Sequence, residues 1–88
     1  MTEATLGPVV PNPFNPVTRI SYELWKEAHV HLAIYDVAGR RVDTLVDSRK
    51  PAGEYSILWE ASGIASGVYF YRFRAGNTVE TRRMILLK

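Results

Sequence analysis

The chain has 88 residues, of which 47% are hydrophobic and 23% charged, and it contains no cysteine. This composition is typical of a globular domain, not of a disordered segment, and a net charge of +2 is too small to indicate a nucleic acid or an anionic membrane as partner. No apolar run approaches the roughly 20 residues that span a bilayer, and nothing at Met1 resembles a signal peptide. Without cysteine we expect neither a disulfide nor a thiolate metal site.

The chain opens on a proline-rich segment. Residues 1–10 are predicted to be a linker or an edge segment, with residues 6–12 as an edge strand, because proline is tolerated at sheet edges. In VVPNPFNPVT, residues 9–18, the prolines lack N–H donors and keep the preceding residues extended. We interpret this segment as a stiff entry into the first full strand.

Alternation of apolar and polar residues predicts the strands that follow. The apolar faces of three runs consist of Ile20, Tyr22 and Leu24, then Val30, Leu32 and Ile34, then Tyr55, Ile57 and Trp59. The runs RRVDTLV, GVYFYRFRA and TVETRRMILLK bring the number to six. Gly39 is expected at positive φ in a tight turn, and Gly76-Asn77 is a hairpin signal. Short strands at this spacing predict an all-β sandwich, of seven strands if the edge segment is included.

Few residues have the pattern of a catalytic or metal site. His29 and His31 point the same way from one strand, and a metal site there would need a third ligand such as Glu23. The favoured interpretation is that both are exposed strand histidines. No serine stands in a G-x-S-x-G context, and the glycines at 63 and 67 do not open a helix that could hold phosphate. We therefore expect no enzyme, no metal and no cofactor.

Three further patterns leave alternatives open. The P-x-x-P spacings at 8–11 and 13–16 fit a polyproline ligand, although a structural role is favoured. Flat aromatic side chains could stack on a sugar, but strand aromatics are more often core residues or cross-strand pairs. The aromatic set is Trp25, Tyr35, Tyr69 and Phe70, with Trp59 and Tyr71 expected in the core. A basic set, Arg72, Arg74, Arg82 and Arg83, is predicted to share one face of the last hairpin, either as a solvated edge or as a docking face.

Taken in order, PNPFNPVTRISYEL, YDVAGR, SGVYFYR and the closing MILLK resemble a known family. It is the type A C-terminal sorting domain of proteins exported by the type IX secretion system, and the resemblance covers about residues 9–88. It implies an immunoglobulin-like antiparallel β-sandwich of about seven strands over residues 11–88. The motif residues carried over are Pro11, Asn12, Pro13, Gly39, Gly67, Tyr69 and Lys88.

The resemblance also implies a role and partners. Such domains follow an upstream cargo domain through the periplasm to the cell surface or medium. They are recognised by an outer-membrane translocon and often removed by a sortase-like peptidase. This chain departs from the usual pattern at Val10, where an aromatic is common, at Glu60, where Asp or Asn is frequent, and at Arg82 and Arg83, which replace a lysine pair.

A second hypothesis stays open at this point. The chain could be a structural or carbohydrate-binding immunoglobulin-like accessory domain of a secreted enzyme or of a flagellar hook-capping protein, because fold alone does not fix function. When excised, a sandwich with exposed edges can also dimerise by strand exchange.

Overall fold

The computed structural model describes residues 3–87, which form seven strands and no helix. The strands are β1 (Ala4–Val10), β2 (Val17–Leu24), β3 (Ala28–Tyr35), β4 (Arg41–Lys50), β5 (Gly53–Glu60), β6 (Gly67–Ala75) and β7 (Thr78–Leu86). The edge strand expected at residues 6–12 is present as β1 and lies two residues nearer the N-terminus. It carries Pro8, which an edge position tolerates because one side of the strand needs no donor.

The strands form two antiparallel sheets that pack face to face. One sheet has the order β1-β2-β5 and the other the order β4-β3-β6-β7. The chain therefore crosses between the layers from β2 to β3, from β4 to β5 and from β5 to β6, as in immunoglobulin-like sandwiches. The all-β sandwich prediction is confirmed.

The core follows from the period-two pattern. Because successive side chains of a strand point to opposite faces, each strand places every second residue between the sheets. Ile20, Tyr22 and Leu24 are at most 4% exposed, and Val30, Leu32 and Ile34 are fully buried. The predicted face of β5 is buried only at Trp59, because β5 is an edge strand and leaves Tyr55 and Ile57 partly exposed.

Aromatic rings pack through the whole length of the core. Tyr22 stacks on Tyr55 with ring centroids 5.1 Å apart and meets Phe73 of the opposite sheet at 5.2 Å. Such pairs contribute about 0.5–1.5 kcal/mol beyond the area they bury. Burial raises the pKa of the Tyr22 hydroxyl, as does its neighbour Tyr55.

Two turns carry the glycine conformations that the sequence predicts. Gly39 has φ +84° between β3 and β4, and Gly76 has φ +59° between β6 and β7. Residues with a Cβ atom rarely adopt these angles. The tight reversals therefore depend on glycine at both positions.

Candidate functional site

Motif residues that are distant in sequence meet at one end of the sandwich. Because the seven strands pair only in the antiparallel sense, β1, β3, β5 and β7 end there and β2, β4 and β6 begin there. The loops at this end are residues 11–16, 36–40 and 61–66, and we call it the motif end. It holds all the predicted motif residues except Lys88, which lies outside the described residues.

Asn12 fastens the entry segment to the last strand. Its side-chain oxygen accepts a hydrogen bond from the backbone N–H of Ile85 at 3.0 Å, and its amide nitrogen donates to the carbonyl of Arg83 at 3.4 Å. Both partners lie on the free edge of β7, since β6 occupies the other edge. The Asn12 amide therefore takes the place of a neighbouring strand residue.

Phe14 anchors the same segment in the core. Its backbone N–H donates to the carbonyl of Ile85 at 3.0 Å, and its carbonyl accepts from the N–H of Leu87 at 2.9 Å. These bonds form a parallel bridge to Leu86. The ring is only 2% exposed and lies 5.6 Å from the Trp59 ring. We call this union of residues 11–16 with the end of β7 the clasp.

Two more hydrogen bonds hold the ends of the clasp segment. The Thr18 hydroxyl, 1% exposed, donates to the carbonyl of Pro11 at 2.8 Å. The carbonyl of Pro16 accepts from the N–H of Ala61 at 3.0 Å. Because proline cannot donate, the prolines contribute only carbonyls to this network. The segment is thus more than the stiff entry predicted from sequence, since it also covers an open edge of the second sheet.

The turn at residues 36–40 depends on Asp36. One carboxylate oxygen accepts from the backbone N–H groups of Ala38 and Arg40, and the other accepts from the Arg40 guanidinium at 3.0 Å. These bonds, with that to the Arg40 backbone the strongest, lower the pKa of Asp36 below its ordinary value of 3.8. Gly39 donates its N–H to the Asp36 carbonyl at 3.0 Å. The carboxylate and the glycine together close the turn.

Gly67 and Tyr69 shape the start of β6. Gly67 has φ +152° where the loop 61–66 enters the strand. The Tyr69 hydroxyl donates to the carbonyl of Ala65 at 2.6 Å, so the ring, 8% exposed, folds back over its own loop. A tyrosine that bonds the backbone a few residues upstream is typical of immunoglobulin-like corners. Its ring also meets Trp59 edge-on, with centroids 6.3 Å apart.

Trp59 joins the two sheets behind these motifs. It packs against Phe14 and Tyr69, and its indole N–H donates to the Asp43 carboxylate of β4 at 3.0 Å. The sequence predicts that Trp59 lies in the core, but it does not predict the roles of Phe14, Thr18 and Asp36. An Asp three residues before a turn glycine is a local signal for Asp36. The other two roles arise from contacts across the sandwich.

The basic set does not lie on one face as predicted. Arg72 and Arg74 point outward from β6, and Arg83, which faces Phe70 across the strands, points the same way. Arg82 faces Tyr71 and therefore lies on the core side of β7. Adjacent strand residues point to opposite faces, so Arg82 and Arg83 must separate. The Arg82 guanidinium instead donates to the Gly7 carbonyl at 3.3 Å, at the seam between β7 and β1.

The aromatic set is divided by the same rule. Tyr69 is buried, whereas Phe70 beside it points outward and faces Tyr35 of β3. Trp25 is 55% exposed, but it follows β2 at the opposite end of the sandwich, where its backbone N–H donates to the Glu3 carbonyl. The four rings therefore form no common sugar-stacking face.

The histidines point outward from β3 and lie beside one carboxylate. His29 Nε2 is 2.7 Å from Asp47 Oδ1, and this hydrogen bond lowers the pKa of Asp47. Glu23 belongs to the other sheet. Within residues 3–87 no three His, Cys, Asp or Glu side chains are grouped so that they could hold a metal ion. The same residues form no helix long and apolar enough to cross a membrane.

Comparison with known proteins agrees with the motif resemblance. Residues 8–87 match the family model described as the secretion system C-terminal sorting domain. The fold is similar to part of the crystal structure of dimeric latent PorU from Porphyromonas gingivalis, with a TM-score of 0.77 and 22% sequence identity over 96% of this chain. The chain spans only 9% of the length of that PorU chain. No curated protein matches the sequence significantly.

Proposed function

The chain belongs to the family of secretion system C-terminal sorting domains, and from this premise we propose that it acts as a sorting signal that is recognised in its folded state. The family indicates a C-terminal sorting signal of the type IX secretion system and thus export of an attached cargo to the cell surface or medium. In the proposed mechanism the domain passes through the periplasm attached to its cargo. There an outer-membrane translocon binds the motif end, and a sortase-like peptidase then acts on the junction with the cargo. The domain itself catalyses no reaction.

The observation that carries this proposal is the clasp. It joins the first motif of the family, around Asn12, to the closing strand through side-chain and backbone hydrogen bonds. With β7 in place, the entry segment lies at the motif end beside the turn at Gly39 and the start of β6, and together they form one surface. A receptor that binds this surface would distinguish a folded domain from an unfolded or truncated one.

Residue chemistry supports a recognition role over a catalytic one. Three motif residues act on the fold: Asn12 bonds β7, Gly39 shapes a turn, and Tyr69 holds a loop. None of these side chains is paired with a base or a nucleophile in the manner of a catalytic group. The division of the aromatic set removes the feature on which the carbohydrate-binding alternative depended.

An export assay tests the proposal directly. A periplasmic reporter protein with residues 1–88 fused at its C-terminus is expressed in a host that has a type IX secretion system, and surface and periplasmic fractions are compared. The expected result is export to the surface at a level similar to a native sorting domain. The matched control replaces Asn12 by Ala, which breaks the clasp at an exposed residue. The proposal is wrong if the fusion remains periplasmic while the native sorting domain is exported.

A further inference from the structure

The outer face of the four-stranded sheet is strongly basic. The strand register places arginines of β4, β6 and β7 on the side away from the core. They are Arg41, Arg49, Arg72, Arg74 and Arg83. Among residues 3–87, the strand positions of this face include a single carboxylate, Asp47, and it is bound to His29. The outer face of the three-stranded sheet has the opposite balance, with Glu23, Glu54 and Glu60 against Arg19.

Four of these five arginines have no ion-pair partner among residues 3–87. Arg49 pairs with Glu27, whereas no carboxylate of the described part of the chain lies within ion-pair distance of Arg41, Arg72, Arg74 or Arg83. Arg72 and Arg74 are two residues apart on one strand face, which separates their Cα atoms by about 6.7 Å. Neighbouring like charges on a sheet repel each other. A bound anion would relieve this repulsion.

The arginines line two adjoining depressions with different chemistry. One, of about 240 Å³, is lined by His31, Tyr35, Arg72 and Arg74. The other, of about 470 Å³, shares Tyr35 and Arg72 and extends over Phe70, Val37 and Val79, and its lining also includes Asp36, Gly39 and Thr81. Val37 is 75% and Val79 49% exposed. A basic recess therefore adjoins a largely apolar one, with Tyr35 and Arg72 shared between them and the Asp36 carboxylate, which is already bonded to Arg40, in the apolar one.

We propose that this surface binds an extended acidic polypeptide segment of a partner. A carboxylate of the segment pairs with the guanidinium groups of Arg72 and Arg74, whose planar fork matches a carboxylate in two hydrogen bonds. A neighbouring apolar side chain lies on Tyr35 and Phe70. Two recesses of different character suit the successive side chains of a peptide, whereas a phosphate-bearing surface would leave the apolar recess empty. The inference rests on the proposed function only in taking the partner as one that the domain meets during export.

A binding measurement with purified components tests this surface separately from export. The 88-residue chain is titrated with a short synthetic peptide that alternates Glu with Leu and Ser, and with the same peptide carrying Gln in place of Glu. Binding is followed by calorimetry at two salt concentrations. Arg72→Gln and Arg74→Gln are each compared with Arg19→Gln, which removes the same charge from the opposite face. Thermal melts establish that all three variants are folded.

The expected result is binding of the Glu peptide but not of the Gln peptide, weakened by about tenfold in Arg72→Gln or Arg74→Gln, which corresponds to 1.4 kcal/mol. Arg19→Gln should bind like the unmodified chain. Equal weakening by Arg19→Gln would show a response to net charge alone and would overturn the proposal. Absence of binding to the Glu peptide would also overturn the proposal, and binding of the chain to vesicles that contain phosphatidylglycerol would not rescue it. The calorimetric assay contains no secretion apparatus, so its result does not depend on the outcome of the export experiment.

Discussion

Replacement of Phe14 by Ala should destabilise the domain severely. The ring is 2% exposed and packs against Trp59. Truncation of a buried Phe to Ala costs about 3–5 kcal/mol, through lost transfer free energy and the cavity left behind. At about 0.05–0.15 kcal/mol per residue, a chain of 88 residues has a free energy of unfolding of about 4–13 kcal/mol. The variant would therefore lose a large part of its total stability.

The assay is urea and thermal unfolding followed by circular dichroism and tryptophan fluorescence. For a domain of this size 1 kcal/mol shifts Tm by about 4–8 °C, so Phe14→Ala should melt about 15 °C or more below the unmodified chain. Phe14→Leu keeps part of the buried apolar volume but loses the ring contact with Trp59, so it should cost less than Phe14→Ala. Leu58→Ala, at a residue that is 57% exposed, should shift the free energy of unfolding by about 0.5 kcal/mol or less.

A small effect of Phe14→Ala on the free energy of unfolding would contradict this prediction. If Phe14→Ala lowered the free energy of unfolding by no more than Leu58→Ala, residue 14 would not be a core residue and the clasp would not be closed in solution. In the export assay, secretion should fall in the order unmodified chain, Phe14→Leu, Phe14→Ala. Equal secretion of all three proteins would show that sorting does not require the clasp.

Three further changes test the motif end. Tyr69→Phe removes the hydrogen bond to Ala65 but keeps the ring, and should lower the free energy of unfolding by about 1 kcal/mol in urea titrations; an unchanged midpoint would contradict the corner geometry. Asp36→Asn tests pH dependence: because the folded-state pKa of Asp36 is lowered, its charge stabilises the domain above the ordinary pKa, and that contribution is lost as pH falls through the lower folded value. The Tm difference between the two proteins should therefore be largest near neutral pH and shrink in acid, whereas a constant difference would argue against it. Deletion of residues 84–88 removes the end of β7 that the clasp binds and should abolish export of the reporter. Export of the truncated fusion would contradict this prediction.

Local features of the fold could be predicted from sequence with good success. The alternation of Ile20, Tyr22 and Leu24 indicates a strand with one buried face, because side-chain direction in a strand has a period of two residues. Gly39 indicates a positive φ because few other residues adopt it. Each of these inferences depends only on neighbouring residues.

Contacts between distant residues could not be predicted in the same way. Phe14 stands in a segment of prolines and asparagines, where composition suggests an exposed linker. It is buried because the segment crosses from the first sheet to the edge of β7, some seventy residues later in the chain. Arg82 and Arg83 were grouped by proximity in sequence, although the strand period sends them to opposite faces.

The sequence by itself determined that this chain forms strands with one apolar face, joined by turns that need glycine, and the motif order indicated the sorting family. Only the tertiary structure decided that Asn12 and Phe14 complete the edge of β7, and that Arg72, Arg74 and Arg83 share a face on which none of them has an ion-pair partner among residues 3–87. The reason is physical: strand period and turn conformation are set by adjacent residues, whereas the pairing of edges and the balance of surface charge depend on which strands become neighbours after folding.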